Sequence, residues 1–278
     1  MSFLSRPDTV SGMEILNVEP KKTTMSSAKN PLAKGPDGQK IEAITTCVGF
    51  SDILAHTLPM NKNHFDRILV LTAPEDRDTQ LVCDYWGVTY HPTDLFETRW
   101  NNFKKGAAIN RGLKELDKDA WIVHIDSDIA LQPNFRQVIK TADLDTSMIY
   151  GIDRVDVPSW ADWQKFIGKP EPHTQGMGFI VHIEHTGFKF GARVAFPHQG
   201  GYIPIGYFQM WHADSGIMKY PEGHTDAGRE DSHFATLWPR KKRALIPEMI
   251  AYHLESEHAP MAENWKGRKT KPFSIDSL

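Results

Sequence analysis

Trp121-Ile122-Val123-His124-Ile125-Asp126-Ser127-Asp128 is an apolar run that delivers two aspartates, one residue apart, at what should be the end of a buried strand. Side chains alternate along a strand, so Asp126 and Asp128 point the same way. Carboxylates that share one face just beyond a hydrophobic core are placed to hold a hard divalent cation, and such a cation neutralises a diphosphate. The stretch therefore points to chemistry on a nucleotide-linked substrate.

The spacing alone is not specific, because Asp-x-Asp occurs at Asp76/Asp78, Asp117/Asp119, Asp126/Asp128 and Asp143/Asp145. Chance supplies roughly one or two such pairs in a chain this rich in aspartate. Only the pair at 126/128 follows a continuous apolar run and precedes a turn with a proline, Ile129-Ala130-Leu131-Gln132-Pro133. Context makes it specific.

At 278 residues, 40% hydrophobic and 24% charged, the chain has the composition of an ordinary soluble globular protein with one elaborated domain or two closely packed ones. A formal net charge of −3 argues against whole-surface attraction to nucleic acid or anionic membrane. Cys47 and Cys83 lie in or beside apolar segments without metal-type spacing, so they read as small core residues in a reducing compartment. No run has the apolar length of a membrane span, and the N-terminus lacks a secretory stretch, so a cytoplasmic location is expected.

Residues 1 to 38 are rich in Ser, Thr, Lys, Pro and Gly and read as a mobile or peripherally docked arm. A strand is expected at Ile41 to Val48, a helical stretch around Ile53 to Leu58, and a strand at Arg67 to Thr72. Polar residues 73 to 79 lead into a helix from Gln80 to Trp86, then a short strand near Val88 to Tyr90 and a helix from Asn102 to Leu116. Strands separated by helices indicate a mostly parallel α/β sheet with helices on both faces, and ligands bind beyond the carboxyl ends of such strands. Asp76, Asp78, Asp126 and Asp128 all fall on that edge.

After a strand at Ser147 to Gly151, residues 152 to about 213 are dense in Gly, Pro, His and aromatics, without helical periodicity. Short strands, such as Phe179 to Ile183, and long loops are expected there, a β/loop-rich region suited to acceptor recognition. A helix is expected at Glu230 to Trp238, and a last strand at Met249 to Leu254 before a polar tail.

In order of elements the chain resembles the GT-A glycosyltransferases, particularly the large inverting group that transfers a sugar from a nucleotide donor. The matching features span roughly residues 41 to 268: a first strand ending in a loop, acidic residues after the second strand, the Asp-x-Asp strand end, and a later Glu-Asp. The resemblance implies a GT-A (Rossmann-like) fold with a nucleotide-sugar-binding half at 39–151. The acceptor-binding and catalytic half, with the basic tail, falls at 152–278.

It implies roles for individual residues as well. Asp76 or Asp78 would sit near the base; Asp78, just before Thr79 and Gln80, reads equally as a helix N-cap. Lys105 or Arg111, in Lys104-Lys105-Gly106-Ala107-Ala108-Ile109-Asn110-Arg111, would pair with the diphosphate. Asp128 would be the direct metal ligand, and Asp126 a partner of the ribose or of metal-bound water. His253 or His258 would complete the metal site, and imidazole beside carboxylates suits Mn²⁺ better than Mg²⁺. His124, on the same strand face, reads as a hydrogen-bonded core residue. Asp231 would be the general base on the acceptor hydroxyl, with Glu230 orienting the acceptor. The tail Asn264-Trp265-Lys266-Gly267-Arg268 would close over the donor phosphates through Lys266 and Arg268. The first strand ends Cys47-Val48-Gly49-Phe50, where many relatives carry a proline-containing turn.

The expected activity is a metal-dependent inverting transfer from a nucleoside diphosphate sugar, with UDP favoured on resemblance. The acceptor is a saccharide, a protein or modified DNA. Arg240-Lys241-Lys242-Arg243 and the tail cations form two basic patches that keep hydroxymethylated pyrimidines of phage DNA in view as acceptors. Two rivals are a sugar nucleotidyltransferase, against which the absence of a Gly-rich phosphate loop after the first strand argues, and a non-enzymatic nucleotide-sugar-binding module.

Overall fold

The computed structural model describes residues 38–97, 102–157, 160–167, 194–196, 201–225, 227–254, 268 and 272–273. All of the expected arm except Gly38, the strand expected at Phe179 to Ile183, His258 and Lys266 lie outside the described residues.

Alternation of buried side chains sets the architecture. β1 (Lys40–Thr46), β2 (Arg67–Thr72) and β6 (Ala120–Ile125) are buried on both faces, which marks central strands covered by helices on each side. On one face Ile41, Val70, Val123 and Ile125 pack with Leu54 and Leu58 of α1 (Ser51–Asn61), Val82 and Cys83 of α2 (Arg77–Trp86), and Phe135 and Ile139 of α4 (Phe135–Thr141). On the other, Ile44, Leu69, Leu71 and Ile122 meet Ala108, Ile109 and Leu113 of α3 (Lys105–Leu113) and Phe234 of α6 (Glu230–Ala235). Each such large side chain removed from water stabilises the fold by roughly 1.5–3 kcal/mol.

The remaining strands of the main sheet are β3 (Thr89–Pro92), β7 (Ile129–Leu131), β8 (Ile149–Val157), β11 (Phe208–His212) and β12 (Arg243–Leu254), in the order β3-β2-β1-β6-β11-β8-β12-β7. Four of the seven pairings are parallel; β11 runs antiparallel between β6 and β8, and β7 antiparallel beside β12. The mostly parallel sheet with helices on both faces is the expected one. Two small hairpins, β4 (Phe96–Glu97) with β5 (Asn102–Phe103) and β9 (Val194–Phe196) with β10 (Gly201–Ile203), lie outside it.

Several expectations need correction. The helix expected from Asn102 begins only at Lys105, because Phe103 N donates to Thr225 O, Lys104 N donates to Leu95 O, and the Phe103 ring packs on Phe96. Its end also comes early, at Leu113. The strand expected at 147–151 runs instead from Ile149 to Val157, and a helix, α5 (Trp160–Ile167), follows inside the region read as strands and loops. β11 is not marked by an apolar run, because the buried polar residues Gln209 and His212 interrupt Phe208-Gln209-Met210-Trp211-His212. The helix from Glu230 stops at Ala235 and the chain turns through Thr236 to Trp238.

Cys47 and Cys83 are free and buried, and burial pushes both thiols up to about 12. No helix among the described residues is long and apolar enough to cross a membrane.

Candidate functional site at the carboxyl edge of the sheet

β6 ends at Ile125, and the turn that follows is held from three sides. Asp126 N donates to Tyr207 O (3.2 Å) and Ile129 N donates back to Asp126 O (3.2 Å). From α1, Thr57 donates to Ser127 O (2.6 Å), while Asn61 donates to Ile129 O (2.6 Å) and accepts from Leu131 N (2.9 Å). From β12, Leu254 N donates to Asp128 O (2.8 Å), and the ladder sets His253 opposite Ile129. His253 Nε2 consequently lies 3.3 Å from Asp128 Oδ2. Burial disfavours the Asp128 carboxylate, yet His253 holds it below the usual carboxylate range. Its other oxygen, Oδ1, is buried without a hydrogen-bond partner.

Asp126 faces a lysine instead. Lys105, at the start of α3 and with its side chain only 9% exposed, places Nζ 2.6 Å from Asp126 Oδ1. Burial works against the charged amine, but Asp126, Asp231 and Glu230 outweigh it and hold the ammonium above its ordinary range. Losing one member of such a pair leaves the other charge uncompensated, which typically costs about 3–5 kcal/mol. α3 reaches this position because Gly106 has no side chain: a Cβ there would lie 2.5 Å from Pro221 O.

Asp231 and Glu230 open α6 on the same side of the sheet. Asp231 Oδ2 accepts from Gly206 N at 2.5 Å and Oδ1 from Ser232 N at 2.6 Å, while the side chain stays partly open to solvent. Gly206 is required by this approach, since a Cβ there would lie 2.5 Å from Asp231 Oδ2. Glu230 is fully buried, its Oε1 has no partner, and burial pushes the carboxyl up to about 7. It is therefore closed to solvent where Asp231 is not.

The other expected residues divide. Asp76, not Asp78, caps α2: it accepts from Thr79 N (3.2 Å), Thr79 Oγ1 (2.7 Å), Thr72 Oγ1 (3.3 Å) and Gly49 N (2.7 Å), riveting the loops after β1 and β2 together. Asp78 is exposed in the first turn of that helix. Arg111 turns to Thr93 Oγ1 (2.8 Å) and Asp94 (3.2 Å). Arg268 forks onto Asp52 with bonds of 2.6 and 2.8 Å and lies over the Phe50 ring, which puts this one residue beside the loop after β1. In the basic run, Lys242 pairs with Asp145 and Arg243 Nε donates to Trp238 O.

His124 is fully buried and neutral, because burial, and then the Lys105 charge, holds its pKa well below the ordinary value. Its Nδ1 lies 3.2 Å from the Tyr220 hydroxyl, as expected of a hydrogen-bonded core histidine. No local pattern marks Thr57, Asn61, Gly206, Gln209 or Tyr220; Thr57, Asn61, Gln209 and Tyr220 stand out only as polar groups inside apolar or loop-like stretches.

A divalent cation fits the Asp128–His253 pair on one observation: a buried carboxylate oxygen without a partner sits beside an imidazole, an O/N donor set of the kind Mn²⁺ accepts. A second carboxylate–imidazole group lies at the other end of β6. Asp119, His212 and Asp214 place ligand atoms within 4.8 Å of one another, but both aspartates are exposed and His212 Nδ1 already accepts from Asp214 N (3.1 Å).

No protein-family model matches this chain, and no curated protein matches it. Among solved structures, it is similar to glucosyl-3-phosphoglycerate synthase from Mycobacterium tuberculosis. One structure of that enzyme, in complex with Mn²⁺, UDP and glucosyl-3-phosphoglycerate, is 12% identical over 79% of this chain and 71% of that one, with a TM-score of 0.42. Another is 14% identical over 83% and 76%, with a TM-score of 0.43. Mannosyl-3-phosphoglycerate synthase from Rubrobacter xylanophilus is 18% identical over 43% and 41%, with a TM-score of 0.32. At these scores the likeness is one of general outline.

Proposed function

We propose that this chain is a metal-dependent inverting glycosyltransferase that moves a sugar from a nucleoside diphosphate donor, UDP by preference, to an acceptor hydroxyl. One observation carries the reading: on a single sheet edge, the Asp128–His253 pair, the Asp126–Lys105 pair and the partly open Asp231 come from four separate elements. An α/β sheet of this type binds ligands at that edge.

Asp128 and His253 would hold the metal, with Asp126 as the supporting neighbour. When bound, the metal would stabilise the charge that grows on the departing diphosphate. Lys105 adds a positive charge on the same side, worth most where negative charge increases in the transition state. Asp231 is the group available to take the acceptor proton, because Gly206 N and Ser232 N fix its carboxylate while it stays open to solvent. Glu230 supports that side from beneath, buried and facing Lys105. Residues 39–151 would form the donor half and 152–278 the acceptor half.

The test is release of UDP from a panel of UDP-sugars with and without Mn²⁺. Metal-dependent UDP release is expected from the wild type and none from Asp128→Ala. Release of pyrophosphate would indicate a nucleotidyltransferase, and release of nothing a binding module. Among the described residues, Arg240 to Arg243 present no geometry that favours DNA as the acceptor over a saccharide or protein.

A further inference from the structure

The hydrogen bonds around His124 determine which of its ring nitrogens carries the proton. Gln209, opposite His124 in the β6–β11 ladder, is fully buried. Its Nε2 donates to Pro204 O and to Asp231 O, each at 2.8 Å. Carbonyls only accept, so the amide orientation is settled and Oε1 is left as an acceptor. The Tyr220 hydroxyl donates to that Oε1. With its one proton there, the hydroxyl oxygen can only accept from His124 Nδ1. The imidazole is thus the Nδ1–H tautomer, and Nε2 keeps a bare lone pair. That nitrogen is buried, has no hydrogen-bond partner, and lies 3.8 Å from Asp126 Oδ1.

Tyr220 is well fixed for this task. The Asn110 amide holds its backbone from α3, accepting from Tyr220 N (2.7 Å) and donating to Tyr220 O (2.9 Å). Its ring stacks on Phe234 with centroids 3.8 Å apart. The chain Asp231–Gln209–Tyr220–His124 therefore runs through the core from the start of α6 to the aspartate turn.

We propose that this chain is a tautomer lock, with His124 as a positioning residue for Asp126. An imidazole protonated on Nε2 would aim its N–H at Asp126 Oδ1 from 3.8 Å, a few tenths of an ångström short of a hydrogen bond, and would compete with every cation for that oxygen on closing the gap. The lock presents a lone pair instead, so Asp126 shares its oxygen with no donor from the core and keeps it for Lys105 and for the cation side of the site. This role rests on the transferase reading; the tautomer itself does not.

Long-range ¹H–¹⁵N NMR on the full chain, labelled with ¹⁵N, reads the tautomer directly. The wild type should show His124 protonated on Nδ1 alone, and a proton on Nε2 overturns the proposal. Tyr220→Phe keeps the ring stacked but removes the hydroxyl. A proton should then appear on Nε2, and Mn²⁺-dependent UDP affinity by calorimetry should fall about tenfold or more, the usual effect of losing an outer partner. Removing the competing donor in Tyr220→Phe/His124→Leu should restore the affinity, an outcome that simple loss of packing would not give. A Tyr220→Phe protein with unchanged tautomer or affinity, or a double variant that stays weak, overturns the lock. A wild type with the expected tautomer but no Mn²⁺–UDP binding overturns the transferase reading and the role built on it.

Discussion

β6 carries an aspartate–histidine group at each end, and the two differ in everything except composition. At its amino end Asp119, His212 and Asp214 bring ligand atoms within 4.8 Å, yet the aspartates face solvent and the imidazole Nδ1 accepts from a backbone amide, which leaves the buried, unpartnered Nε2 to carry the proton. At its carboxyl end Asp126, Asp128 and His253 are braced by α1, β12 and the backbone of Tyr207, and one carboxylate oxygen is buried without a partner. Proximity of ligand types is thus a poor guide. Water screens exposed carboxylates, whereas a buried and unpartnered one needs a donor or a cation, or takes up a proton as Glu230 does.

The largest expected effect separates the two ends. Asp128→Ala should reduce metal-dependent UDP release by about 10³-fold or more, as expected when a group that acts on transition-state charge is removed. The pair Asp119→Asn and Asp214→Asn should leave the same rate unchanged; a comparable loss in both would erase the contrast. Next, Gly206→Ala should lower kcat by about 100-fold with little change in donor affinity, because displacing Asp231 by an ångström is enough to disorganise an attack geometry. A parallel loss of donor affinity would instead tie Gly206 to the aspartate turn.

Lys105→Met should destabilise the protein by about 3 kcal/mol in urea unfolding, since Asp126 would lose its charge partner. Adding Mn²⁺ with UDP should recover part of that loss, while the exposed Arg111→Met should change stability by less than about 1 kcal/mol. A pH effect lies away from both ends and serves as a control on them. Burial lowers His64 to about 4 from 6.5, with Arg136 adding to the shift, and burial lowers His56 to about 4. In that interval the unfolded chain binds protons that the folded chain does not, so stability should fall as pH drops from 6.5 toward 4. His64→Gln should flatten the thermal-melt profile in that window, and a profile it leaves unchanged would remove His64 as the source.

The central strands were legible because burial on both faces leaves continuous apolar runs, and β2 appears with the expected ends, Arg67 and Thr72. The nearness of His253 to Asp128 was legible through the resemblance, because His253 leaves a recognisable strand close to its end. The residues that hold the edge together were not. Thr57 and Asn61 act across some seventy residues of chain on backbone atoms, a contact with no local pattern. Gly206, Gln209 and Tyr220 fall in or just beyond a stretch whose glycines and aromatics read as loop, although β11 and its buried polar chain run through it. The cap on α2 went to Asp76 because its carboxylate also reaches Gly49 on a neighbouring loop, which sequence spacing does not reveal.

α3 is cut close on two sides. Gly106 admits the Pro221 carbonyl, and Gly112 lies where a Cβ would meet Ile44 Cδ1 at 2.5 Å, with Leu71 and Leu69 just beyond. A helix keyed at both points has little freedom to slide or roll, and Lys105 begins it. The position of the buried ammonium is therefore set by methyl groups in the middle of the sheet. A substitution at Leu69 or Leu71, far from any charge, would be read at the edge as a misplaced cation.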